Sequence, residues 1–213
     1  MSGWKNLARK LPVMVLFALI SSSVLASNRT VLVLGDSLSA AYNLPEEEGW
    51  VALLAQRLAA EDISVVNASV SGATTAAGLQ LLPELLQSHR PELLVLELGA
   101  NDGLQGKPLV YIRRNLQRLI QSAQAQGVEV VLVGIRIPPN YGAAYTEPFF
   151  EQYAELAEQF ELALVPFLLE GVAGNPELMM TDRLHPVAKA QPVLLENVWP
   201  VLAGRLDLST DSD

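Results

Sequence analysis

Residues 30–39 read Thr-Val-Leu-Val-Leu-Gly-Asp-Ser-Leu-Ser. The opening run of β-branched residues and leucines is nearly unbroken by polar groups, as suits a strand buried on both faces of a parallel sheet. The Gly-Asp-Ser that follows reads as a strand-to-helix turn. It places Ser37 at the start of a helix, with its hydroxyl exposed and its N–H free. Read locally, Asp36 and Ser37 are equally good helix-capping residues, so the tripeptide alone leaves both readings open. It is not a Gly-x-Ser-x-Gly elbow, because position 39 is Ser.

The same rhythm continues outward from this stretch. Beside Thr30–Leu34, strands are predicted at Ile63–Asn67, Leu93–Leu98, Val128–Val133 and Leu162–Pro166, each a short apolar run. Helical spacing joins Trp50, Leu53, Leu54 and Leu58; then Leu79, Leu82, Leu85 and Leu86; then Ile112, Leu116, Leu119 and Ile120. Two more helical patterns run from Phe149 to Phe160 and from Val187 to Leu202. A βα repeat of roughly 30 residues predicts an α/β fold, a three-layer α/β/α sandwich around a five-stranded parallel sheet.

The 213 residues suffice for one domain with a full core, and 50% apolar with 17% charged residues is a globular composition. Lys5, Arg9 and Lys10 precede the apolar run Leu11–Ile20 and the small residues up to Ala26. That is the layout of a secretory signal peptide over residues 1–26, cleaved near Ala26, leaving 27–213 as one domain in the periplasm or outside the cell. The run is short of the ~20 residues a bilayer span needs, so no stable membrane insertion of the mature chain is expected. The leader holds three of the 14 basic residues and none of the 23 acidic ones, so its removal leaves a charge of −12. Such a chain repels nucleic acid phosphates. Cysteine is absent, which excludes disulfides, a cysteine nucleophile and thiolate metal sites.

In an open parallel sheet ligands bind where the loops leave the carboxyl ends of the strands. After the second predicted strand comes Ser71-Gly72-Ala73-Thr74; after the third, Gly99-Ala100-Asn101-Asp102-Gly103. Both are good turn sequences, and both also offer donors: the Gly72 N–H and the Asn101 amide, beside the Ser37 N–H, could hold an oxyanion. After the fifth comes Asp182-Arg183-Leu184-His185-Pro186. His185 can serve as base to Ser37, with Asp182, three residues earlier, fixing its ring. The other histidine, His89, precedes the third strand and falls at the opposite edge.

Gly-Asp-Ser-Leu-Ser, the Ser71-Gly72 pair, Gly-Ala-Asn-Asp and Asp-Arg-Leu-His-Pro stand in the order of the blocks of the GDSL, or SGNH, hydrolases, which the chain resembles over residues 30–203. The resemblance implies a flavodoxin-like sandwich, with Ser37 as nucleophile, His185 as general base and acid, and Asp182 as orienting acid. It also implies an oxyanion hole of Ser37, Gly72 and Asn101. Within the family the chain is similar to bacterial periplasmic members with acyl-CoA thioesterase, lysophospholipase and arylesterase activity. The implied partner is therefore a small acyl ester or thioester, acted on by a monomer without metal or organic cofactor. Two positions depart from the common pattern: Ala73 stands where relatives often have Asp, and Ala100 where they often have Gly. Gly103-Leu104-Gln105-Gly106 suits either a mobile flap or a plain connector. With Ile135 and Ile137 from a segment similar to the family's acyl groove, Leu104 is assigned to substrate binding. An alternative keeps the same triad but acts on an acetylated carbohydrate, and a non-enzymatic acyl-binding protein is a further reading.

Overall fold

The last rung of the central strand pair sets Gly35 beside Glu97, and the loops that matter leave the sheet around it. The computed structural model describes Met1 and residues 29–208. The expected leader beyond Met1 and the tail after residue 208 lie outside the described residues. Strand β1 (Arg29–Gly35) pairs in parallel with β2 (Ile63–Asn67) on one side and β3 (Leu93–Glu97) on the other. Strands β4 (Glu129–Val133) and β5 (Ala163–Val165) continue in parallel beyond β3, giving the order β2-β1-β3-β4-β5. The chain thus leaves β1 toward one edge and β3 toward the other. The gap between those two carboxyl ends is the topological switch point, where this class of sheet builds its sites.

Among the described residues six α-helices flank the sheet: α1 (Trp50–Leu58), α2 (Thr75–His89), the short α3 (Ala100–Leu104), α4 (Leu109–Gln124), α5 (Ala143–Gln159) and α6 (Gln191–Arg205). Helix α1 packs with α6, while α2 packs with α4 and α4 with α5, so the helices form two groups, as a sheet covered on both faces requires. Helix α4 shows why such segments are helical. Ile112, Leu116, Leu119, Ile120 and Ala123 recur every three or four residues and are all buried, forming one apolar stripe. Helix α2 starts at Thr74, whose hydroxyl accepts the Ala77 N–H, and ends at Arg90 in a left-handed conformation, φ 44°.

The five strands fall where the apolar runs predict. Expectation and structure part at β2, which is only partly buried, because it is an edge strand with one neighbour. They part again after β1. The Ala40 N–H does donate to the Asp36 carbonyl, but the expected helix stops after that single turn, and the first regular helix begins at Trp50. Ala41 and Asn43 take left-handed φ values of 52° and 57°, which no α-helix continues through.

Strand β3 is buried along its whole length, with Leu94 fully enclosed in the middle of the sheet. Leu94→Ala should therefore lower the unfolding free energy by about 2–5 kcal/mol in urea titration, through lost transfer energy and the cavity left behind.

Candidate active site

The turn after β1 puts the Ser37 Oγ 2.9 Å from His185 Nε2, across 148 residues of sequence. The far side of that ring is held locally. Asp182 Oδ2 lies 2.8 Å from His185 Nδ1, while its Oδ1 accepts the N–H groups of Leu184 and His185 at 2.9 and 3.0 Å. One oxygen of Asp182 builds the turn and the other aims the ring. Arg183, left-handed at φ 59°, lets the chain double back, and the Met180 N–H donates to the His185 carbonyl to close it. Burial alone pushes Asp182 upward. The His185 ring and the two amides outweigh that and bring it down to about 2, although its side chain remains 40% exposed.

Beneath Ser37 the turn stands on carboxyl groups. Glu97 Oε2 accepts the Asp36 N–H at 3.1 Å and the Ser39 hydroxyl at 2.7 Å. Asp36 accepts the Leu38 N–H on one oxygen and the Asn101 amide on the other, both at 3.0 Å. Both carboxyls are fully buried. Burial pushes Asp36 up to about 6, with the Leu38 N–H, His185 and Asn101 pulling it back and the Asp102 charge pushing it further. Burial likewise pushes Glu97 well above the usual range, and the neighbouring Asp36 charge acts in the same direction. Its Oε1 has no partner among the described residues, which a neutral carboxyl tolerates far better than a carboxylate.

The three expected oxyanion donors converge on this edge in different states. Among the described residues no carbonyl or side chain takes the N–H of Ser37 or of Gly72. Gly72 has φ +81°, and a Cβ there would meet nothing within 4 Å, so backbone conformation and not crowding calls for glycine. Asn101 is different. Its Nδ2 already donates to Asp36 Oδ2 and to the Ala73 carbonyl, both at 3.0 Å. Two acceptors fix the amide's orientation, since the flipped group would set its oxygen against them. Asn101 sits on α3, which starts at Gly99. The φ of +125° there, and the Tyr153 hydroxyl standing where any added Cβ would lie, admit only glycine.

Residues 33–191 match the GDSL-like lipase/acylhydrolase family. The chain belongs to that family. It is 51% identical to esterase TesA of Pseudomonas aeruginosa over 187 residues, 87% of this chain and 93% of that one. A crystal structure of TesA, 52% identical, matches with a TM-score of 0.79 over 83% of this chain and 99% of that one. An arylesterase of Vibrio mimicus is 47% identical, covering 91% and 97% of the two chains. Thioesterase 1/protease 1/lysophospholipase L1 of Escherichia coli K12 is 40% identical, covering 85% and 86%. The α/β sandwich built from five parallel strands is thus the fold of these acylhydrolases.

Beside the Ser37–His185–Asp182 line lies a cleft of about 1250 Å³ that Asp182 and Leu184, though not Ser37 or His185, help to line. Leu104 and Ile137 line it as well, together with Phe167, Leu169 and Met179. Ile135 does not. It is 1% exposed and belongs to the core, because Gly134 still pairs with the strip after β5 and holds that stretch against the sheet. The segment read as a flap or a connector is helical through Leu104, and the Tyr141 and Tyr145 hydroxyls donate to the Leu104 and Lys107 carbonyls. His89 ends α2, at the opposite edge of the sheet. Two neighbours of the site went unread. A lone carboxylate ending a wholly apolar strand was the signal for Glu97; Tyr42, whose ring lies on His185, gave none. Among the described residues no three His, Cys, Asp or Glu side chains are grouped to hold a metal ion, and no helix is long and apolar enough to cross a membrane.

A carboxyl with a raised native pKa keeps its proton longer folded than unfolded. Asp36 therefore removes stability as the pH rises from 3.8 to about 6, and Glu97 does so from 4.5 upward. Asp182 acts oppositely, contributing stability above 3.8 that is lost as the pH falls toward 2. Glu97→Gln keeps an acceptor for Asp36 and Ser39 but cannot ionise. In thermal melts its Tm should gain on the wild type as pH rises above 4.5. A Tm difference that does not change with pH would refute the shift.

Proposed function

We propose that this chain hydrolyses carboxylic esters and thioesters in two acyl-transfer steps, with Ser37 as nucleophile. The observation that carries this reading is the unbroken line Ser37–His185–Asp182, at 2.9 and 2.8 Å. A serine hydroxyl is a weak nucleophile until a base accepts its proton. His185 Nε2 takes that proton as Oγ attacks the carbonyl carbon, and Asp182 stabilises the imidazolium from the other side. The tetrahedral oxygen is held by the N–H groups of Ser37 and Gly72. Asn101 joins them by a rotation of its planar amide that trades the bond to the Ala73 carbonyl for one to the oxyanion. The alcohol or thiol departs with the proton from His185. Water then repeats the cycle on the acyl-enzyme, leaving the acid and free Ser37.

The apolar lining of the cleft, Leu104, Ile137, Phe167, Leu169 and Met179, supports a hydrocarbon acyl chain over an acetylated sugar. Aryl esters, acyl-CoA and lysophospholipids are the substrates this reading favours, in keeping with the names of the relatives. Rates on p-nitrophenyl octanoate should exceed those on the acetate; the reverse order would favour a carbohydrate acetylesterase.

Ser37→Ala should abolish both hydrolysis and fluorophosphonate labelling with the circular dichroism unchanged. His185→Ala should be nearly as damaging, whereas His89→Ala should leave activity within a few-fold. Loss of one oxyanion donor in Asn101→Ala should lower kcat by about 100- to 1000-fold. The reading also includes export, with residues 1–26 as leader and a monomeric mature chain. Mass spectrometry of secreted protein should then give an N-terminus at Ser27, and light scattering the mass of a single chain.

A further inference from the structure

The imidazole of His185 is held at both edges, by Asp182 and by Ser37, and it is also covered on a face. The Tyr42 ring lies on it with the centroids 4.2 Å apart and the planes tilted by 32°. The backbone that brings Tyr42 there is strained at Ala41, whose left-handed φ of 52° is unfavourable for a residue with a Cβ, while Asn43 on the other side is also left-handed, at 57°, which asparagine tolerates. Such strain persists only where the surroundings impose it, and it points to the residue beside it. The Tyr42 N–H donates to the Ser37 carbonyl, so one short turn delivers both the hydroxyl at the edge of the imidazole and the ring on its face. Tyr42 itself is 40% exposed, and it is not among the residues lining the cleft. Core packing does not account for its placement.

We infer that Tyr42 is a positioning residue that holds the His185 ring in plane with Ser37 and stabilises its protonated form through the electron-rich face of the phenol. The inference rests on the reading of His185 as the base. Each step of that reaction creates an imidazolium, and an aromatic face attracts a cation most strongly where water is kept away. The side chain of His185 is only 18% exposed, and Tyr42 is part of what covers it. The interaction grows as the proton arrives, so it stabilises the transition state more than the resting enzyme. An aliphatic side chain of similar bulk would still cover the ring without supplying that face.

Tyr42→Phe, Tyr42→Leu and Tyr42→Met, made in the full mature chain, separate the two contributions. The substrate is p-nitrophenyl acetate, too short to fill the cleft. Phe should keep kcat within about twofold, while Leu and Met should lower it by about 3- to 30-fold with KM nearly unchanged. In NMR spectra the His185 ring protons should move downfield in Leu and Met, as the ring current of Tyr42 is lost, and stay in place in Phe. Wild-type kcat in either aliphatic variant would overturn the inference, as would a loss confined to KM. A His185→Ala protein that remains active would instead overturn the base assignment, so the two failures are distinguishable.

Discussion

The Asp36 N–H and the Ser39 hydroxyl donate to the same oxygen of Glu97, and through that oxygen the turn carrying Ser37 is tied to the neighbouring strand. The tie exists because β1 and β3 are in a register that sets Gly35 opposite Glu97. Asp36 extends the bracing by accepting both the Leu38 N–H and the Asn101 amide. A third buried carboxyl does the same one loop further out. Asp102 accepts the N–H and the hydroxyl of Thr75, whose oxygen in turn accepts the Asn115 amide. Each carboxyl therefore joins two segments that leave different strands, and together they lock the carboxyl edge into one arrangement.

By the ordinary rules for buried polar groups this foundation is unfavourable. The raised pKa values of Asp36 and Glu97 express that cost directly, since the fold holds both groups away from water and close to one another. A strongly apolar core offsets it: Val31 to Leu34 and Leu93 to Leu96 are each no more than 2% exposed. What the edge gains is preorganisation. The N–H groups of Ser37 and Gly72, which have no acceptor among the described residues, need not reorganise when charge develops, whereas the Asn101 amide must leave the Ala73 carbonyl; that advantage requires rigid supports.

The His185 side of the site is built on a different plan. Asp182 and His185 are three residues apart in one turn, and the carboxylate that orients the ring also folds the loop carrying it. This half is local and partly exposed, while the Ser37 half is non-local and buried. They meet through the 2.9 Å contact at Nε2 and the Tyr42 ring above it. A shift of either half by about 1 Å would lengthen that contact beyond hydrogen-bonding range.

The amino-acid sequence by itself determined what depends on near neighbours. Runs such as Val31–Leu34 and Leu93–Leu96 mark buried strands, the stripe from Ile112 to Ala123 marks a helix, and strand-end loops expose Ser37, Gly72, Asn101 and His185. Asp182 was legible too, because its partner lies one turn away. Tertiary structure alone decided the rest. Nothing in the side chain of Ala41 announces a left-handed backbone, unlike Asn43, where asparagine favours it; packing imposes it at Ala41, and with it the end of the expected helix and the position of Tyr42. Ile135 and Ile137 are chemically alike and both buried in the core, and the pairing of Gly134 beside β5 holds the first against the sheet while the second also lines the cleft. Glu97 reads as one more strand residue until the register brings it under the turn of another strand. Local propensity acts over a few residues, whereas these placements follow from contacts between segments that meet only after the sheet has formed.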